Sequence, residues 1–149
     1  MRSSGFTLIE LLVVVAIIGI LSAIGTLTYS GYVGAAKKNS AENIMQQISL
    51  AQTEEYSMTG EYYFTSAGNC NATTASSTNI EVALFQGTDV IPSEIDFNFC
   101  IAGTVSNYTI LADNGSGCVL SLPRNGSVDK SGCPSVSYTH LTLPTKQDV

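Results

Sequence analysis

The sequence predicts an α+β protein: one long N-terminal helix, with a small antiparallel sheet of about four strands laid against its second half. Three observations carry this. Residues 11–36 contain no charge at all, a run of 26 residues. Beyond Lys37, Ile44, Ile48 and Ala51 recur at i, i+4 and i+7, with Ala41 and Met45 widening the stripe, which is helical periodicity. After about residue 78, short apolar runs alternate with turn signals such as Asn114-Gly115 and Asn125-Gly126, the pattern of a β-meander.

The uncharged run would rise about 39 Å as a helix, against about 30 Å for the hydrocarbon core of a bilayer. Its most apolar part, residues 11–24, is broken only by Gly19 and Ser22. A segment this apolar all round is buried in lipid or in an oligomer. A secretory signal peptide would have a shorter apolar region followed by a small-residue cleavage site. Here the run is longer, Glu10 stands at its head, and the only short leader, residues 1–5, lies before it.

The stretch Gly5-Phe6-Thr7-Leu8-Ile9-Glu10-Leu11-Leu12 resembles the processing site of the type IV pilin family, which includes the pseudopilins of type II secretion. The resemblance is close over about the first 60 residues and otherwise one of general layout. It implies the type IV pilin fold, cleavage after Gly5 by a prepilin peptidase, N-methylation of Phe6, and retention of the apolar segment. It also implies that Glu10 meets the amine of a neighbouring subunit during filament growth. Physically, a carboxylate in hydrocarbon costs about 2.5–3.5 kcal/mol on insertion scales and so seeks a partner. Cleavage turns the Phe6 nitrogen into an amine that can be a cation. In one straight helix that amine, four residues before Glu10, would also reach it within the same chain.

The expected organisation is then a leader at 1–5 and a membrane or filament-core helix at 6–36. An amphipathic continuation follows at 37–59, and a globular head at 60–134. The helix should stop at Thr59-Gly60, where glycine suits a C-cap. Gly19, Gly25, Gly31 and Gly34 interrupt it at about 1 kcal/mol each relative to alanine. The family commonly has a proline in mid-helix, whereas this chain has none before Pro92. Polar residues Asn43, Gln46, Gln47, Gln52 and Glu54 are assigned to the face away from the stripe. Residues 61–78 read as a loop. Strands are expected at 80–85, 95–102, 108–112 and 118–122, with another at 127–130, and Phe97 and Phe99 alternate with Asn98 and Cys100. Residues 135–149 read as a tail. Within it, Val136-Ser137-Tyr138-Thr139-His140-Leu141 matches one reading frame of a sequencing adapter, so the tail from about Val136 reads as non-native read-through, the alternative being a natural polar extension.

Cys70, Cys100, Cys118 and Cys133 all follow the apolar segment, in the part that would face an oxidising compartment. Four cysteines allow three pairings. The resemblance favours Cys118–Cys133, closing a short C-terminal loop where many pilins have theirs, and Cys70–Cys100, tying the loop at 61–78, which is variable in the family, to the sheet.

The formal net charge of −6 argues against a nucleic-acid surface, which would be basic. No catalytic constellation is found, since the single histidine, His140, lies in the tail. Gly115-Ser116-Gly117 lacks the spacing of a phosphate loop. Asp113, Asn114 and Ser116 resemble part of a calcium loop but lack the glutamate of an EF-hand, so a turn is expected, with no metal and no cofactor. Tyr29 and Tyr32 read as packing between helices. Asn-x-Ser/Thr sequences at Asn71, Asn107, Asn114 and Asn125 carry little weight in so Ser/Thr-rich a chain.

The expected function is a structural pilin subunit, not an enzyme, held in the inner membrane and assembled into an extracellular homo-oligomeric filament. By resemblance the partners are the prepilin peptidase, a platform protein, assembly and retraction ATPases and, in a Gram-negative cell, an outer-membrane secretin. The uses are adhesion, twitching motility or DNA uptake. The alternatives are a pseudopilin of type II secretion and, more distantly, a tethered binding or enzymatic domain.

Overall fold

The computed structural model describes residues 5–133; the tail expected at 135–149 and most of the leader expected at 1–5 lie outside the described residues. Helix α1 runs unbroken over Leu8–Thr59, 52 residues or about 78 Å. Thr7 caps its start, and Gly60 ends it in the left-handed conformation at φ +80°, its N–H returning to the Tyr56 carbonyl. A residue without a Cβ adopts that conformation without strain, which is why the helix stops there.

The head begins with β1 (Ser66–Ala67), followed by α2 (Thr74–Phe85) and a 3-10 turn over Ser93–Ile95. Then come β2 (Asn98–Thr104), β3 (Asn107–Asp113), β4 (Val119–Pro123) and β5 (Asp129–Gly132). The strands form one sheet in chain order. β1 is parallel to β2 and the other pairings are antiparallel. Phe99 faces Ala112, which faces Leu120, and Ile101 faces Ile110, which faces Leu122. These six are buried, and Ala41, Ile44, Met45 and Ile48 of α1 close over them together with Ile80 of α2. The α+β architecture is therefore as the sequence predicts.

Four expectations are corrected. Residues 80–85 are the second half of α2, not a strand. Ile80, Val82 and Leu84 alternate as a strand would, but Thr73 and Ser76 form a reciprocal N-terminal cap, and the buried positions are Ser76, Ser77 and Ile80. The hydrogen bonds of that cap satisfy donors a helix start leaves open, and burial follows helical spacing. Residues 61–78 are consequently not a loop throughout, since they hold β1 and the start of α2, and the sheet has five strands rather than about four. Gln52 does not face solvent either. It is fully buried, its side chain donating to the Tyr63 carbonyl at 2.6 Å and accepting from the Tyr63 N–H at 2.9 Å. Position 52 continues the 44–48 stripe, and only a side chain with both a donor and an acceptor could meet both backbone groups there.

The outer edge of β2 is closed by side chains. The Ser76 hydroxyl donates to the Phe99 carbonyl at 2.6 Å, and the Phe99 N–H donates to Ser77 Oγ at 2.9 Å. Two residues on, Thr65 Oγ1 donates to the Ile101 carbonyl at 2.9 Å and accepts from the Ile101 N–H at 3.0 Å. β1 then pairs with Ala102 and Gly103. Phe99, Cys100 and Ile101 are all buried, because the Cys70–Cys100 bridge and these hydroxyls cover the face and edge that a free strand would leave wet. Cys118 and Cys133 form the second bridge, linking the start of β4 to the chain just after β5.

Candidate functional site: the bare half of the long helix

Helix α1 has two environments. From Ala41 to Gln52 its inward positions are buried under the sheet, whereas the large apolar side chains from Leu8 to Ile24 stand clear of the other described residues. Leu8 is 82% exposed, Ile9 70%, Ile20 64% and Leu21 64%. The stretch is long and apolar enough to cross a membrane. Contiguous apolar surface on this scale marks an interaction surface. A Cβ built at Gly19, Gly25, Gly31 or Gly34 would meet nothing within 4 Å. Nothing among the described residues therefore requires small residues there. Tyr29 and Tyr32 are likewise exposed.

At the tip, Thr7 is extended at φ −78° and ψ 149° and receives the Glu10 N–H on Oγ1 at 3.4 Å. Glu10 Oε2 in return accepts from the Thr7 N–H at 2.9 Å and from the Thr7 hydroxyl at 2.6 Å. Threonine followed three residues later by glutamate is the sequence signature of this reciprocal cap. Thr7 is thus a residue the motif reading passed over, although Thr7-Leu8-Ile9-Glu10 announces it. The cap has a geometric consequence. Phe6 lies before the cap residue and outside the helix, so it does not hold the i to i+4 relation to Glu10 expected of a straight helix beginning at Phe6. Glu10 is partnered locally by Thr7, and Gly5 and Phe6 are exposed and free of regular structure.

Two ion pairs fix the helix against the underside of the head. Lys37 Nζ pairs with Asp96, which follows the 3-10 turn. Lys130 Nζ on β5 lies 2.7 Å from Glu42 Oε1, a buried oxygen that it meets as an ion pair rather than an aligned hydrogen bond. At the far end of the head Tyr56 stacks on Tyr62, Tyr62 meets Tyr108 edge-on, and the Arg124 guanidinium lies over the Tyr62 ring. The calcium-loop fragment is a closed turn. Asp113 Oδ1 accepts the Gly115 N–H at 2.7 Å, and Asn114 Oδ1 accepts the N–H groups of Ser116 and Cys118 at 2.9 and 3.0 Å.

Residues 1–26, which carry this cap and the start of the uncovered apolar helix, match the family model of the prokaryotic N-terminal methylation motif. The chain is similar to fimbrial proteins and to a type IV pilin. It is 38% identical over 86 residues to a fimbrial protein of Neisseria meningitidis serogroup A, covering 58% of this chain and 49% of that one. To fimbrial protein EcpC of Eikenella corrodens it is 46% identical over 56 residues, 38% of this chain and 37% of that one. To the type IV major pilin protein PilA of Myxococcus xanthus it is 39% identical over 61 residues, 41% of this chain and 28% of that one. The chain spans about half the length, or less, of the curated relatives it matches. No solved structure gives a significant match. The resemblance to the type IV pilin family that residues 5–12 suggest is thus borne out.

Proposed function

We propose that this protein is a type IV pilin, a non-catalytic subunit cut between Gly5 and Phe6, methylated on the Phe6 nitrogen, and assembled into an extracellular filament. The observation that carries the reading is the coincidence of the methylation motif with the tip of a helix whose apolar half the head leaves bare. Residues 6–36 hold the subunit in the inner membrane before assembly and form the filament core afterwards, while 37–59 carry the head at 60–134. Both settings cover the same surface, first with lipid and then with other copies, and small residues at Gly19, Gly25, Gly31 and Gly34 allow close approach of helices there.

Glu10 changes partner during assembly. In the precursor Thr7 satisfies it, and in the filament it meets the Phe6 amine of a neighbour. The prepilin peptidase, platform protein, assembly and retraction ATPases and secretin are the partners of this cycle, and adhesion, twitching motility and DNA uptake its uses. Relatives named fimbrial protein and major pilin do not favour the pseudopilin alternative. The test is to shear surface filaments from cells and identify their main protein by mass spectrometry. Filaments whose subunit begins at methylated Phe6 support the reading, and processed protein found only as a periplasmic or membrane monomer overturns it.

A further inference from the structure

Between α1 and the underside of the head lies a groove of about 750 Å³. Lys37, Lys38 and Lys130 line it, so three of the six basic residues of an acidic chain converge on one site. Two of these are compensated, Lys37 by Asp96 and Lys130 by Glu42. Lys38 makes no ion pair with any described residue, which leaves one positive charge in the groove. Ser116 brings a hydroxyl. Asn114, whose oxygen is committed to the turn, has its amide nitrogen left to donate. Gly34, Ala35, Ile95, Phe97 and the Cys118–Cys133 bridge make one wall apolar, and Asn39 adds a further polar side chain.

The position of this groove along the helix identifies its occupant. The uncharged run of 26 residues rises about 39 Å, exceeding a hydrocarbon core of about 30 Å but not the 40–45 Å or so of a bilayer with its headgroups. With that run in a membrane, Lys37 and Lys38 lie in the headgroup layer, and the groove opens there. We propose that the groove binds the phosphate of an anionic phospholipid headgroup, with Lys38 as the principal counter-charge, Ser116 and Asn114 as donors, and the apolar wall against the glycerol and upper acyl chain. The proposal rests on the membrane-anchored reading of residues 6–36. Its effect would be to set the depth and tilt of the helix before assembly.

The test reconstitutes the full chain in bilayer discs of equal phosphatidylglycerol and phosphatidylcholine and counts retained lipids by native mass spectrometry after gentle release. Wild type is expected to retain phosphatidylglycerol preferentially. Lys38→Gln should lower that preference about fivefold, the contribution of one lysine near an anionic surface, and Lys38→Glu should abolish it. Lys38→Arg should keep it, and so should Arg124→Gln, a loss of the same charge at the far end of the head. Equal retention of the two lipids, or a preference that survives Lys38→Glu, overturns the site. So does a wild-type groove that retains no lipid because a second copy or residues beyond Cys133 fill it. Co-sedimentation with pure phosphatidylcholine vesicles separates the two readings: a chain that fails to insert there overturns the anchoring itself, whereas one that inserts without lipid preference overturns the headgroup site alone.

Discussion

Thr7 and Glu10 satisfy each other. The threonine donates twice to one carboxylate oxygen, at 2.9 and 2.6 Å, and accepts the glutamate N–H at 3.4 Å. A carboxylate at the head of an apolar run thus has a partner before any other subunit is present, and that partner can be exchanged, because a hydroxyl competes poorly with a cation.

Glu10→Ala therefore separates two roles. If the carboxylate only caps the helix, the change should be nearly neutral, with processing and filament yield intact. If it meets a neighbour's Phe6 amine, every added subunit leaves a buried cation unpaired, at about 3–5 kcal/mol. The expected outcome is processed subunit in the membrane and none in the sheared fraction, read by fractionation and immunoblot. Normal filament yield would remove the docking role.

Gly5→Val should block processing, since the exposed, irregular segment at Gly5 and Phe6 would present a branched side chain to a peptidase that takes a small one. Intact mass should then still include residues 1–5. A mature terminus at Phe6 in the variant would show that the cleavage site is misplaced.

Digestion without reduction should yield linked peptides for Cys70–Cys100 and Cys118–Cys133, the pairs joined in the structure, with no alkylatable thiol. Replacing either pair with serine should lower stability by about 2–4 kcal/mol. Four reactive thiols in unreduced protein would contradict an oxidising destination.

Gln52→Ala should destabilise the head by about 2–4 kcal/mol, because it orphans both backbone groups of Tyr63 at a buried site. Thermal unfolding of the full chain in detergent measures it. Exposed Gln46→Ala should shift the midpoint little. Equal effects would mean that the Gln52 clamp contributes nothing.

Asp129 gives a pH signature. The Ser131 N–H and hydroxyl donate to its two oxygens at 2.8 and 3.0 Å and hold its carboxyl below the usual range. A depressed folded-state value contributes stability above the unfolded value, about 3.9, and loses it as pH falls through the folded one. Hydrogen exchange at β5 should thus keep its protection from pH 7 to 5 and lose it only below about 3.9. Asp129→Asn should remove that step. Protection already falling between pH 7 and 5 would contradict this assignment.

The long helix was legible because its signals are redundant: 26 uncharged residues, a stripe at 44 and 48, and a glycine stop at 60. β2 to β5 were legible to within a few residues, since apolar runs and Asn-Gly turns bracket them. α2 was not, because Ile80, Val82 and Leu84 alternate by accident on a helix whose inward face is mostly serine. β1 could not be found locally, being two residues defined only by their pairing with β2. At the tip, the motif drew attention to Gly5, Phe6 and Glu10 and away from Thr7. The burial of Gln52 is hidden behind its polarity, since the Tyr63 backbone groups that draw it inward lie beyond the helix.

The hydroxyls along β2 bear on how such a chain avoids the wrong polymer. A protein crowded against copies of itself offers every unpaired strand edge to its neighbours at high local concentration, and edge pairing is the path to fibrous aggregates. On one side that path is shut, with Ser76, Ser77 and Thr65 occupying the Phe99 and Ile101 groups a neighbour's strand would need. On the other, β5 is four residues long, exposed along its length, and carries Asp129 and Lys130, a short charged border ill-suited to templating. Growth through strands is thereby disfavoured along β2 and β5, which leaves the proposed filament to grow through the bare helix, a rod rather than an edge.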